Sequence, residues 1–349
     1  MIISKRSPAS GPSIWRGADL VTQDRWVYQF TFDDIKELDA ALEKLPPNIS
    51  DLRKITTVAY PLPTLSAKFT KLQRDIIDGL GFVLIKGIPI DHYSPLEAAA
   101  LYWMIGQHFG DPVSQNSAGH LLGHVKDVEN SNGKPNQRAY QTNEALRYHT
   151  DSCDIVGLFC LQTTPTGGLS SIASAAAVHN AILDNRPDLL EILYKPFAIS
   201  RIGEIPKGQM PWYMTPIFNE FGGCLTCIYP ARDLRAAANL PSAPRLTDLQ
   251  KEALDLLDSY AETFSLKMDF EPGDIQFLHN HTVLHGRTAY NDDPSQGIRR
   301  HLLRLWLSAP NGRPLPPHFA DRYGTVEQGA VRGGIICPET KLSTPLDIV

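Results

Sequence analysis

Cysteine is scarce and unpaired here: Cys153, Cys160, Cys224, Cys227 and Cys337 form an odd, scattered set. That excludes a disulfide framework and a repeated-cysteine zinc site, and it fits a reducing compartment. The lone C-x-x-C, Cys224-Leu225-Thr226-Cys227, lies in apolar, glycine-bearing surroundings and reads as buried thiols rather than a redox pair. Long apolar runs are missing as well. No stretch approaches the roughly 20 residues a membrane helix needs, and the opening Met1-Ile2-Ile3-Ser4-Lys5-Arg6-Ser7 lacks the apolar block of a signal peptide. Cytoplasm is the expected compartment. An excess of positive charge is also absent, since the net charge is −5, so nothing draws the whole molecule to nucleic acid or an anionic membrane. A small molecule is the expected partner. Repeats, low-complexity tracts and a convincing linker are all lacking in 349 residues that are 42% hydrophobic, which predicts one domain over 1–349.

What is present is a series of short strands between helices. Phe82 to Ile85, Ile155 to Gln162, Cys224 to Tyr229, Asp274 to Leu278 and Arg299 to Leu307 read as strands separated by turn-rich links. Helical spacing marks Asp33 to Leu45, ended by Pro46-Pro47, and a segment from Ser94-Pro95 toward Phe109. A third helix opens at Thr247-Asp248-Leu249-Gln250, which resembles a capping box. Tyr102, Trp103 and Met104 read as core. The pattern suits a mainly β fold with flanking helices around a jelly-roll core, which holds ligands in its mouth. Asp111 to Leu146 and Arg201 to Asn219 read as extended loops that could form a lid.

The chemistry is concentrated in Tyr148-His149-Thr150-Asp151 and, 136 residues after His149, in Val283-Leu284-His285-Gly286-Arg287. On a strand His149 and Asp151 share a face, about 6–7 Å apart at the backbone, close enough to share a metal. Two imidazoles and a carboxylate leave three adjacent coordination positions open, as non-haem Fe(II) oxygenases require. Taken alone, His-x-Asp is a short pattern that ordinary hydrogen-bonded residues also produce. A third ligand must come from elsewhere, and His279, His281 and His285 are all candidates. Cys153 lies two residues past Asp151 and would pack rather than ligate. Arg300 and Arg304, four apart in an apolar run, share a strand face with Leu302 between them. Two guanidiniums on one inward face call for anions, either structural carboxylates or ligands. Arg147, two residues before His149, is a further cation for a substrate or a surface ion pair.

Gly81-Phe82-Val83-Leu84-Ile85-Lys86-Gly87, Tyr148 to Asp151, Thr166-Gly167-Gly168-Leu169-Ser170-Ser171, Pro272-Gly273-Asp274, Asn280 to Arg287 and Arg300 to Arg304 occur in order. Together they resemble the landmarks of the taurine dioxygenase-like (TauD/TfdA) family of Fe(II)- and 2-oxoglutarate-dependent oxygenases. The resemblance implies a double-stranded β-helix core with a helical lead-in over about residues 1–60. It implies His149, Asp151 and His285 as iron ligands, and Arg300 with Ser170 as the hold on the distal carboxylate of 2-oxoglutarate. Ser171 is the neighbouring alternative. Arg304 matches a position that grips the substrate's own anionic group, with Arg147 a second candidate. Many relatives carry Asp-Asn before the distal histidine, whereas this chain has His279-Asn280. The implied reaction uses O₂ to oxidise an unactivated C–H bond of a small acid, sulfonate or amino acid by hydroxylation, desaturation or ring closure, releasing succinate and CO₂. A metal-binding jelly-roll sensor and a zinc hydrolase are the alternatives from other classes.

Overall fold

Strict alternation along the strands builds two facing sheets with helices outside both. The computed structural model describes residues 6–47, 49–128 and 139–346. Across the larger sheet run Val27–Gln29, Phe82–Lys86, Ile275–His279, Ile155–Gln162, His301–Ser308 and Asp111–Pro112, with Leu122–Val125 also on His301–Ser308. Every pairing there is antiparallel except the first, where Val27–Gln29 runs parallel to Phe82–Lys86. The smaller sheet is Leu266–Met268, Ser170–Ser174, Val283–Arg287 and Leu146–His149, antiparallel throughout.

Side chains two apart on a strand share a face, and the core divides accordingly. Leu302 and Trp306 pack between the sheets with Val156, Cys160, Leu278, Ile172 and Val283. Their neighbours Leu303, Leu305 and Leu307 point outward, onto the helices Leu65–Asp78 and Pro95–Gly106. On the other side Tyr148, Ala173 and Leu284 face the helices Ala175–Asn185, Pro187–Leu193 and Asp248–Thr263. Tyr102, Trp103 and Met104 are buried core, as expected. The result is a double-stranded β-helix within helical layers. No described helix is long and apolar enough to cross a membrane.

Several expected boundaries shift for physical reasons. The first long helix is Phe32–Leu42, opened by a Thr31–Asp34 capping box; it stops short of Leu45, since a residue before proline avoids helical backbone. Ser94 and Thr247 cap the other two predicted helices, with reciprocal Glu97 and Gln250. Residues before 60 are not wholly helical, because Val27–Gln29 joins the edge of the larger sheet. Cys224–Cys227 forms a hairpin with Phe218–Phe221 apart from both main sheets, and its two cysteines sit three apart on one strand. At that spacing they face opposite ways, too far apart for a disulfide. The supposed loop Arg201 to Asn219 contains the strand Trp212–Thr215, paired with Phe197–Ser200. Part of the stretch Asp111 to Leu146, residues 129–138, lies outside the described residues.

Candidate active site

The inward face of the smaller sheet brings His149, Asp151 and His285 together. His285 stands directly opposite His149 across the antiparallel pair, with ring centroids 4.2 Å apart. One ligand atom from each of the three residues lies within 4.8 Å of the others. His149 Nε2 is 3.7 Å from Asp151 Oδ1, and His285 Nε2 is 3.5 Å from Asp151 Oδ2. The expected single strand does not carry both residues of His-x-Asp, however. Leu146–His149 ends at the histidine, and Thr150 is tied instead to Tyr229: its N–H donates to the Tyr229 carbonyl at 2.9 Å, and its Oγ1 accepts from the Tyr229 N–H at 2.7 Å. The Asp151 carboxylate is carried toward the histidines by the following turn.

That turn is held by Asn280. Its side-chain oxygen accepts from the Asp151 N–H at 2.8 Å, and its amide donates to the carbonyls of Asp151 and Cys153 at 2.7 and 2.9 Å. Trp306 Nε1 donates to Asp151 Oδ2 at 2.9 Å. His149 Nδ1 donates to the Arg147 carbonyl at 2.8 Å, which leaves Nε2 with its lone pair facing the cluster. Burial, followed by the nearby charge of His285, pushes His149 down to about 4. Burial alone would raise Asp151, but the His285 hydrogen bond and the Arg304 charge hold it well below the usual carboxylate range. A neutral imidazole beside an ionised carboxylate is the state a divalent cation needs. The donor set fits ferrous iron, with nitrogen and oxygen and no thiolate. Cys153 Sγ turns away, donating to the Ile155 carbonyl at 3.3 Å.

His279 and His281, the other histidine candidates, lie elsewhere. His281 Nε2 bonds Asp154 Oδ1 at 2.8 Å in a buried network with Arg332, and His279 Nδ1 accepts from Arg313 at 3.4 Å.

Arg300 and Arg304 both point between the sheets, 5% and 7% exposed. Arg300 precedes the strand His301–Ser308 by one residue, at a bulge. Its Nη2 donates to the Gly168 carbonyl at 3.1 Å, while Nη1 is buried without a partner among the described residues. Gly168 has φ +70°, and a Cβ there would come within 2.8 Å of Arg300 Nε, so a residue with a side chain is excluded twice over. Ser170 and Ser171 separate by face: Ser170 Oγ donates inward to Gln276 Oε1 at 3.2 Å, whereas Ser171 Oγ bonds the outward Tyr148 hydroxyl at 2.6 Å. Arg287, opposite Ser170, is also buried; among the described residues Nε and Nη1 lack hydrogen-bond partners, and Nη2 donates to the Thr142 and Glu144 carbonyls. Burial and the Arg300 charge lower it to about 10. Both guanidiniums lie against the Tyr290 ring, at 4.6 and 5.4 Å.

Arg304 donates through Nε to Gln115 Oε1 at 2.7 Å, approaches Asp151 Oδ2 at 3.9 Å, and lies between the rings of Tyr140 and Trp306. With His149 and Asp151 it lines a cavity of about 350 Å³. Arg147 lines the same cavity from outside, paired with Asp258 at 3.3 Å. Trp306 could have been found from the sequence, being two residues after Arg304 and so on its face. Gln115 lies in a loop, and nothing in the sequence marks it.

Two facing sheets with an inward His/Asp/His cluster and buried arginines between them define a non-haem iron oxygenase. The chain belongs to the taurine catabolism dioxygenase TauD, TfdA family, whose model matches residues 42–306. It is thus an Fe(II)- and 2-oxoglutarate-dependent dioxygenase. It is 30% identical over 332 residues to the FR-33289 synthase of Streptomyces rubellomurinus (strain ATCC 31215), covering 93% of this chain and 97% of that one. It is 29% identical over 306 residues to the taurine hydroxylase-like protein SAT17 of Stachybotrys chartarum (strain CBS 109288 / IBT 7711), covering 83% and 77%. Among solved structures, asparagine oxygenase in complex with Fe(II), 2S,3S-3-hydroxyasparagine and succinate superposes with a TM-score of 0.63 at 18% identity, over 81% of this chain and 94% of that one. The non-haem iron oxygenase OrfP in complex with Fe and α-ketoglutaric acid gives 0.62 at 15%, over 81% and 93%.

Proposed function

We propose that the chain hydroxylates a small anionic substrate, with His149, Asp151 and His285 holding Fe(II), and Arg300 and Ser170 gripping the distal carboxylate of 2-oxoglutarate. The observation that carries this is the buried Arg300, whose Nη1 has no partner among the described residues, in the interior between the sheets toward which the three ligands also point. Leaving such a group unmet costs several kcal/mol unless an anion arrives. A zinc hydrolase gives that arginine no task. Iron and 2-oxoglutarate, when bound, supply the oxidising power that breaks an unactivated C–H bond with O₂, yielding succinate and CO₂. The side chains position and shield. Trp306 and Asn280 hold Asp151 in place, the Arg147 carbonyl fixes the His149 tautomer, and Arg304 grips the substrate's anionic group beside the metal, with Arg147 at the rim. Hydroxylation is the outcome we assign because one relative is named a taurine hydroxylase-like protein. The working unit is a single domain over 1–349 in the cytoplasm, with neither nucleic acid nor membrane as partner.

Anaerobic addition of Fe(II) and 2-oxoglutarate should give a weak visible metal-to-ligand band in the wild type and none in His149→Ala. No band in the wild type would falsify the reading. Arg304→Gln should raise the substrate requirement at least about tenfold while leaving the 2-oxoglutarate requirement nearly unchanged, since one charge-assisted pair is worth about 1.5–3 kcal/mol. The reverse pattern would exchange the roles of Arg300 and Arg304.

A further inference from the structure

The cavity over the His149, Asp151 and His285 cluster carries more arginine than one anionic group requires. Arg147, Arg235, Arg304 and Arg322 all line it, with Asp151 beside Arg304 and Asp258 behind the first two. Arg304 is deep, next to Asp151, whereas a second group stands further out. There Arg147 and Arg235 share one carboxylate, Asp258, at 3.3 and 2.8 Å, so one positive charge is left over. Arg235 is held in position by the Tyr229 hydroxyl at 3.1 Å and the Ala231 carbonyl at 3.0 Å. Arg322 faces the same cavity from the short helix Ala320–Tyr323. Among the described residues its guanidinium has neither a hydrogen bond nor an ion pair. The neighbouring carboxylate does not neutralise it, because Asp321 is turned to Arg201 at 2.6 Å. Nor does the helix drift, since Tyr323 is buried and stacks on Phe319 with centroids 5.8 Å apart. A surface arginine ordinarily finds a carboxylate or trails into solvent. This one lines a concave wall that Arg147 and Arg235 also line.

We propose that the outer wall of the cavity, formed by Arg322 and the Arg147–Asp258–Arg235 group, is a second anion subsite, so that the substrate is a short chain with an anionic group at each end. The inner group meets Arg304, and the outer meets Arg322. This rests on the oxygenase reading of the same cavity. Two-ended anchoring explains why so much positive charge surrounds one small volume: an oxidation at a single carbon needs the chain fixed at two points, so that it neither slides nor turns.

The test is calorimetry on the full chain loaded anaerobically with Fe(II) and saturating 2-oxoglutarate. The probes are ω-sulfocarboxylates with two to five methylenes, each compared with the alkanesulfonate of equal length. At least one two-ended probe should bind about tenfold or more tightly than its one-ended match, as expected for an added charge-assisted contact. Arg322→Gln should abolish that preference, and Arg322→Lys should restore part of it. The visible band of the loaded enzyme should be the same in all three proteins. Equal affinities for matched probes, binding of neither, or an undiminished preference in Arg322→Gln would overturn the subsite. A missing band in the wild type would count against the oxygenase reading instead, and the probe preference would still decide the subsite.

Discussion

Asp151 needs its position set by others, because its strand has ended by the time the chain reaches it. The indole of Trp306 supplies one of the fixings, through a bond of 2.9 Å to Oδ2. Trp306→Phe keeps the buried ring and removes only the N–H. Groups that orient a metal ligand are worth about 10–100-fold in affinity when lost, so Fe(II) should bind that much more weakly to a protein that remains folded. Ferrous titration beside a circular-dichroism melt checks both halves, and an unchanged affinity would remove Trp306 from the site. Arg300 makes the complementary point about residues whose role depends on what they lack. Its guanidinium has the Gly168 carbonyl as a hydrogen-bond partner, and its buried Nη1 has no acceptor among the described residues.

At the scale of elements the site depends on one close approach. Val283–Arg287 sets His285 opposite His149, and between His285 and Arg287 the pairing with Leu146–His149 is irregular. At Gly286 a Cβ would fall 2.7 Å from the Leu146 carbonyl oxygen, so the two strands approach this closely because the residue is glycine. Gly286→Ala should cost about 1–3 kcal/mol in urea denaturation and weaken metal binding as the strands separate. A variant as stable as the wild type, with intact metal binding, would show that the strands yield without harm. The same elements show how far the sequence could be read. Ile155–Gln162 ends where its apolar run ends, and the inward parity of Leu302, Arg304 and Trp306 follows from spacing alone, whereas the bulge between His301 and Leu302 interrupts the alternation before it reaches Arg300. The break after His149 does not. It depends on Tyr229, 79 residues away, whose backbone takes the hydrogen bonds that a continued strand would have used. Trp212–Thr215 was hidden for a similar reason: it sits in a stretch rich in glycine and proline, and its strand character comes from its partner Phe197–Ser200. Gln115 carries no local signal, and Asn280 stands in a landmark motif whose spacing does not disclose its task, since each acts on backbone or side chains brought close by the fold.

Over the whole molecule the buried imidazoles make stability depend on pH in one direction. His108, His179, His279 and His281 all have lowered values, chiefly through burial, and His301 is pushed down to about 3 by burial and by the charges of His124 and Lys126. Asp154 opposes the effect at His281 without reversing it. In the unfolded chain each imidazole returns to about 6.5 and takes up a proton that the folded protein refuses. The unfolded state therefore binds more protons at every pH between roughly 6.5 and the lowered folded values, and stability must rise with pH across that window. Carboxylates with lowered values, such as Asp34 and Asp154, add their own loss only when the pH nears the ordinary carboxylate range. The histidines thus act first on acidification. Urea midpoints should be level above about pH 7 and fall steadily from about pH 6.5 toward 4, by on the order of 3 kcal/mol for the set even after discounting the partly exposed His108 and His301. A double replacement, His179→Gln with His301→Gln, should flatten the upper part of that fall. An acid limb that begins only below pH 4 would mean that these imidazoles gain their protons without unfolding.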